Sequence, residues 1–215
     1  MLAFCLSLLL AAEPPQVLFS APLTGGPDAV HAVGVATGIV HHDGAGREAW
    51  SIRGEHDVIS YLAQGNLDKR RGTIAFAFKA GWQPGDRANR ILLADERNFD
   101  DKADNALRFW KWEDRTLRLD LRAVGDRYLT VPLAPLEDGD WHHLAAAWDC
   151  EAGTAIYVDG KRVGARESRW EPLPAKWLNL GHGRGCEPGL GDYRNLVVYD
   201  RALGEAEVAE LAAGR

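Results

Sequence analysis

Gly139-Asp140-Trp141-His142-His143, then Trp148-Asp149, then Tyr157-Val158-Asp159-Gly160-Lys161, is the stretch that decides the fold. It reads as strand, loop, strand, tight turn, strand. Asp-Gly between apolar strands is the strongest short hairpin signal, because both turn residues must take positive φ. Asp159-Gly160 is therefore expected to form a two-residue turn.

Upstream, residues 73–79 alternate cleanly. Ile74, Phe76 and Phe78 share one face; Thr73, Ala75, Ala77 and Lys79 share the other. Period two marks a strand that covers a core. Further strands are expected at 17–19, 50–52, 90–94, 107–112, 116–122, 128–133, 141–148, 155–158, 161–163, 177–180 and 193–199. Gly65-Asn66-Leu67-Asp68 reads as a turn, and 25–46 as an irregular crossing. Many short strands at regular spacing mean a sandwich or jelly roll. One helix is expected at 205–211, where Val208 and Leu211 stand three apart.

The hairpin over 107–122 is the strongest binding candidate. Leu107 and Phe109 share a face with Leu117, Leu119 and Leu121. The opposite face carries Arg108, Trp110, Trp112, Arg118, Asp120 and Arg122. The strands cannot turn the second set inward without exposing the first. Trp offers a flat apolar surface for a sugar ring, while Arg and Asp suit hydroxyls or uronate carboxylates. The alternative is that these Trp pack under a loop and the Arg-Asp pairs are cross-strand salt bridges.

These segments resemble the laminin-G-like, concanavalin A-like lectin/glucanase jelly-roll family. The likeness runs over about 17–211. It is carried by Gly65-Asn66-Leu67, Gly72-Thr73-Ile74-Ala75-Phe76, the 139–149 block, Tyr157 to Gly160, and Tyr199-Asp200-Arg201-Ala202-Leu203. The resemblance implies an all-β, two-sheet antiparallel jelly-roll sandwich with a short C-terminal helix, over 13–215. It also implies a carbohydrate- or glycoconjugate-binding or adhesion module, since only some relatives in the wider superfamily are glycosidases or lyases. The chain departs from the pattern at Ala77, where Trp or Tyr is common, and at Ala80, where Pro is common. Many members hold a structural calcium with an Asp near the first strand, where this chain has Ser20. Asp192 sits where a second calcium carboxylate often lies. One carboxylate alone is a weak calcium site.

The chain has 215 residues, 46% of them hydrophobic, which suits one large all-β domain. Its net charge of −6, with scattered basic residues, argues against nucleic acid and anionic membranes as partners. Eight Trp stand against six Phe and five Tyr. Core packing and sugar stacking both account for such an excess. The apolar run from Leu2 to Ala12, followed by Glu13-Pro14-Pro15, is too short to span a bilayer and resembles a signal-peptide h-region over 1–12. A buried N-terminal strand is the other reading. With export, Cys5 leaves with the signal, and Cys150 and Cys186 form an even pair expected to be a disulfide; two buried thiols are the alternative.

Enzyme signatures are missing. No Glu-x-Asp-x-x-Glu, Gly-x-Ser-x-Gly or phosphate-loop pattern occurs. Glu55-His56-Asp57 and Glu113-Asp114 come nearest to a glycosidase carboxylate set. The acidic loop 95–105 lacks ordered calcium-ligand spacing and contains Arg97 and Lys102. His142 and His143 alternate across a strand, so they cannot share a metal ion. His41-His42 and His182 have no visible ligand partners. The sequence therefore predicts an exported, non-catalytic carbohydrate-binding module. A polysaccharide-degrading enzyme and a protein-binding adhesion module are the alternatives.

Overall fold

The computed structural model describes residues 14–40, 46, 48–95, 106–121, 128–182 and 186–214. The strands are β1 (Val17–Ala21), β2 (His31–Ala32), β3 (Ile39–Val40), β4 (Trp50–Ile52), β5 (Ile59–Leu62), β6 (Arg71–Ala80), β7 (Arg90–Ala94) and β8 (Leu107–Trp112). They continue with β9 (Thr116–Leu121), β10 (Tyr128–Pro132), β11 (Trp141–Asp149), β12 (Gly153–Val158), β13 (Lys161–Glu167), β14 (Trp177–Leu180), β15 (Glu187–Pro188) and β16 (Gly191–Tyr199). Helix α1 (Glu205–Ala213) follows.

Two eight-stranded sheets result. The first runs β13-β12-β11-β6-β16-β1-β2, with β4 beside β16; the second runs β10-β9-β8-β7-β14-β5-β3, with β15 beside β7. Every pairing is antiparallel except β15 on β7. The expected all-β sandwich with one C-terminal helix is what the chain forms. Strand β5 was not expected, and the irregular crossing carries the two-residue strands β2 and β3.

Alternation decides what the sheets enclose. Ile74, Phe76 and Phe78 of β6 meet Leu144, Ala146 and Trp148 of β11, and Phe109, Leu117 and Leu119 from the other sheet, in one buried cluster. Phe76 stacks on Tyr193 at 5.8 Å and meets the edge of Phe109 at 6.1 Å. Trp148 is wholly buried and donates its indole N–H to the Asp68 carbonyl at 3.0 Å.

The outer face of the first sheet is also apolar. Ala75, Ala145 and Ala147 lie flat there, so α1 can pack closely over them through Val208, with Tyr157, Tyr199 and Leu203 around it. Glu207 fixes the start of the helix: it accepts the Gly204 N–H and pairs with Arg201 at 2.7 Å.

The Asp159-Gly160 turn forms as read, with φ of 52° and 78°. Asp159 anchors it to β11. Its Oδ1 accepts the His143 N–H at 2.9 Å, and its Oδ2 lies 2.8 Å from His142 Nδ1. The other His142 nitrogen lies 2.9 Å from Asp138 Oδ1. A Cβ on Gly160 would stand 2.9 Å from Ala209 Cα of the helix.

Two predictions follow from this corner. Gly160→Val meets both an unfavourable φ and the helix backbone, and strain of that kind costs about 1–3 kcal/mol before the clash is counted. Thermal melting should show a clear loss of Tm; an unchanged Tm would refute the close approach to α1. The second concerns pH. Burial pulls the His142 imidazolium down, but hydrogen bonds to Asp138 and Asp159 and their charges outweigh it, raising its pKa above the usual 6.5. A raised folded-state pKa gives stability that is complete below that value and is lost as pH climbs through the folded one. The Tm advantage of the native chain over His142→Gln should therefore shrink as pH climbs from the usual 6.5 through the raised folded-state pKa. A constant difference across that range would overturn it.

Candidate carbohydrate-binding surface

The outer face of the second sheet carries the residues singled out in the 107–122 hairpin. Strand parity is as expected: Leu107, Phe109, Leu117, Leu119 and Leu121 are buried inward. Register brings the others together on the opposite face, with Arg108 opposite Asp120, Trp110 opposite Arg118, and Trp112 opposite Thr116. Arg122 lies outside the described residues.

Their exposure differs from the expectation. Trp110 is 6% exposed, Arg108 6% and Asp120 1%, so these three are not an open platform. Trp110 packs against Ile91, Ala94, Trp112 and Cys186 in a small cluster on this outer face. For Trp110 this agrees with the alternative reading, in which the Trp is packed rather than offered to a ligand.

In the outer part of the group Trp112 and Arg118 are partly buried and Tyr128 is exposed. Arg118 stacks on Trp112 at 4.6 Å and on Tyr128 of β10 at 4.9 Å. Its Nη2 donates to Asp114 Oδ2 at 2.7 Å and its Nε to Thr116 Oγ1 at 3.1 Å. Its Nη1 has no acceptor among the described residues. Trp110 meets Trp112 edge to face at 4.6 Å, which fixes the indole that borders the surface.

A row of mostly polar residues, broken by Ala94, runs in register from β5 to β10. Ser60 pairs with Asn179, Asn179 with Ala94, Ala94 with Arg108, Arg108 with Asp120, and Asp120 with Tyr128. Ser60 and Asn179 are wholly buried. Sequence reading missed both. The signal was there in Ile59-Ser60-Tyr61 and Leu178-Asn179-Leu180, where a polar residue takes the alternate position between inward apolar ones.

A groove of about 720 Å³ lies at the other side of the same sheet. One wall is the Gln64–Arg70 turn and the other the strap 172–176, which leads into Trp177. Lys69 on its border is buried and pairs with Asp95 at 2.5 Å. That pairing engages the first residue of the acidic loop, whose positions 96–105 lie outside the described residues.

The remaining candidates resolve as follows. Cys150 and Cys186 are not bridged; both are thiols. Cys150 packs on the inner core, while Cys186 sits against the outer cluster with Trp110. An even count could not show that the pair is divided between two layers. Burial raises the Cys150 pKa, helped by Glu151 and Asp149. Asp192, the candidate calcium carboxylate, accepts from Ser51 Oγ at 2.6 Å and pairs with Arg53 at 2.5 Å. No group of three or more His, Cys, Asp or Glu that could hold a metal ion occurs among the described residues. No helix among them is long and apolar enough to cross a membrane.

This architecture is that of the concanavalin A-like lectin/glucanases superfamily, whose laminin-G sequence profile matches residues 54–209; the chain belongs to that family. Human pentraxin-4 is 34% identical over 106 residues, which is 43% of this chain and 22% of that protein. The chain thus spans about a fifth of the curated relative it matches. The receptor binding domain of botulinum neurotoxin C/D mosaic serotype superposes with a TM-score of 0.74 at 10% identity, over 93% of this chain and 51% of that one. The botulinum neurotoxin serotype D ligand binding domain, in complex with N-acetylneuraminic acid, gives 0.70 at 10% identity over 93% and 51%. At such identities the structural likeness is one of fold.

The burial of Trp110 makes a prediction. Trp110→Ala should empty a packed site and cost about 3–5 kcal/mol, whereas Trp112→Ala should cost clearly less. Denaturant melts of the two variants compare them. Equal losses would mean that Trp110 is not covered.

Proposed function

We propose that the chain is a non-catalytic carbohydrate- or glycoconjugate-binding module that acts after export. The stack of Trp112, Arg118 and Tyr128 is its contact surface. The observation that carries this reading is the position of Arg118 between two aromatic rings. The guanidinium is held in place by Asp114 and Thr116, and Nη1 is left to donate to a ligand oxygen. Pre-ordered donors lose less entropy on binding than mobile ones. Arg108 and Asp120 support the surface from beneath rather than touching the sugar.

The carboxylates favour binding over hydrolysis. Glycoside cleavage needs two carboxyl groups facing the scissile bond across a fixed gap. Here Asp114 is tied to Arg118 and Asp120 is buried. The serotype D neurotoxin domain, with N-acetylneuraminic acid bound, supports carbohydrate as the ligand class for this shared fold. The signal-like run over 2–12 supports export.

A glycan array probed with residues 13–215 tests the reading. One or more glycans should be retained, and Trp112→Ala and Tyr128→Ala should each weaken that binding at least about tenfold. Their melting should stay well above that of Trp110→Ala. An empty array, or retention unaffected by both variants, would refute this surface.

A further inference from the structure

We infer that the groove between the Gln64–Arg70 turn and the 172–176 strap is a second ligand site, which takes a carboxylate-bearing sugar. It lies apart from the Trp112–Arg118–Tyr128 stack and does not depend on it.

Charge is the first argument. The protein as a whole carries −6. The groove is lined by three cations, Lys69, Arg70 and Lys176, against one carboxylate, Asp68. Lys69 is neutralised by Asp95. Asp68 Oδ1 accepts the Arg70 backbone N–H at 2.8 Å, which closes the turn. The Arg70 guanidinium is exposed and has no hydrogen bond or ion pair among the described residues. A planar fork left open in a concavity matches a carboxylate in geometry and charge.

The second argument is the shape and rigidity of the walls. Asn66 is wholly buried; it accepts the Gly34 N–H at 2.8 Å and donates to the carbonyls of Val35 and Leu62. That locks the turn bearing Arg70. The strap is fixed at both ends: the Trp170 N–H donates to the Cys150 carbonyl, and the Lys176 carbonyl accepts from the Ala63 N–H. Pro172 and Pro174 stiffen it between. The volume of about 720 Å³ falls within the range of small-ligand sites.

The third argument separates a sugar from a peptide. A peptide docking on a sheet uses an open strand edge. Here Leu62, the β5 residue at the groove, is paired with Trp177 of β14 on one side and its carbonyl accepts from Asn66 Nδ2, and the prolines of the strap have no N–H to offer. The side chains of the lining suit a sugar. The half-exposed Trp177 and the exposed Leu62 and Leu173 offer apolar surface. Gln64 offers an amide for hydroxyls. A pyranose has an apolar ring face and a hydroxylated edge; an acidic one adds the carboxylate for Arg70.

Titration calorimetry with two acidic probes tests the inference: a glucuronate–N-acetylglucosamine disaccharide and sialyllactose, each beside its carboxyl-reduced form. At least one acid should bind about tenfold or more tightly than its reduced form, and comparing the two distinguishes a uronate from a sialate. Arg70→Gln should abolish that preference without lowering Tm, because Arg70 is exposed. Arg70→Lys should restore part of it. Trp112→Ala should leave the preference intact. Four results would overturn the inference: no binding of either acid, equal binding of acid and reduced forms, a preference that survives Arg70→Gln, or one that Trp112→Ala removes. The last would place the acid on the aromatic stack and leave the proposed function standing.

Discussion

A side chain on a strand can point only one of two ways, and in the second sheet one of those directions is already full. Leu107, Phe109, Leu117 and Leu119 are wholly buried against the first sheet. The residues that alternate with them on β8 and β9 must therefore share the outer face, polar or not. This one constraint gathers Arg108, Trp110, Trp112, Arg118 and Asp120 into a single group. It also forces the group to settle its own electrostatics. Arg118 does so by stacking on two rings and pairing with Asp114. Where the alternation ends, at the rim of the sandwich, a charge can turn inward only with compensation. Lys111 is wholly buried at the end of β8, and its ammonium donates to the carbonyls of Asp86 and Ala88. Burial lowers its pKa, against the pull of Asp86.

Much of this was legible in the chain because it is local. The Asp159-Gly160 turn needs only its two residues and their φ preference. The faces of β6, β8 and β9 need only period two. The helix shows in two apolar positions three apart. Register across the sheet is not local. Ser60, Asn179, Arg108 and Asp120 are far apart in sequence, and they fall into one row only once β5, β14, β7, β8 and β9 have taken their order. The burial of Trp110 was open for the same reason: alternation names a face but not what lies over it, so an exposed Trp and one packed under a loop were both readings of the hairpin. Cysteine arithmetic failed in the same way: it counts thiols without locating them.

The same distinction separates the stack from the groove. The stack lies along neighbouring strands and could be found by scanning one hairpin. The groove joins a turn near residue 66 to a strap near residue 174, so its basic lining is scattered in the sequence and disappears into an overall charge of −6. A protein's net charge describes its average surface, and a concavity can carry the opposite sign.

The alanine stripe beneath α1 has a consequence for the integrity of the chain. Ala75, Ala145 and Ala147 are small so that a helix can lie close to them. Small side chains also make a flat surface with nothing of its own to shield it. The cover is α1, fastened chiefly by Val208, by the Arg201–Glu207 pair and by the close approach of Gly160 to Ala209. Proteolytic clipping in the connector before Glu205 would strip it away and leave both sheets in place. The product would be a folded protein with a sticky face, prone to self-association before any loss of β-structure.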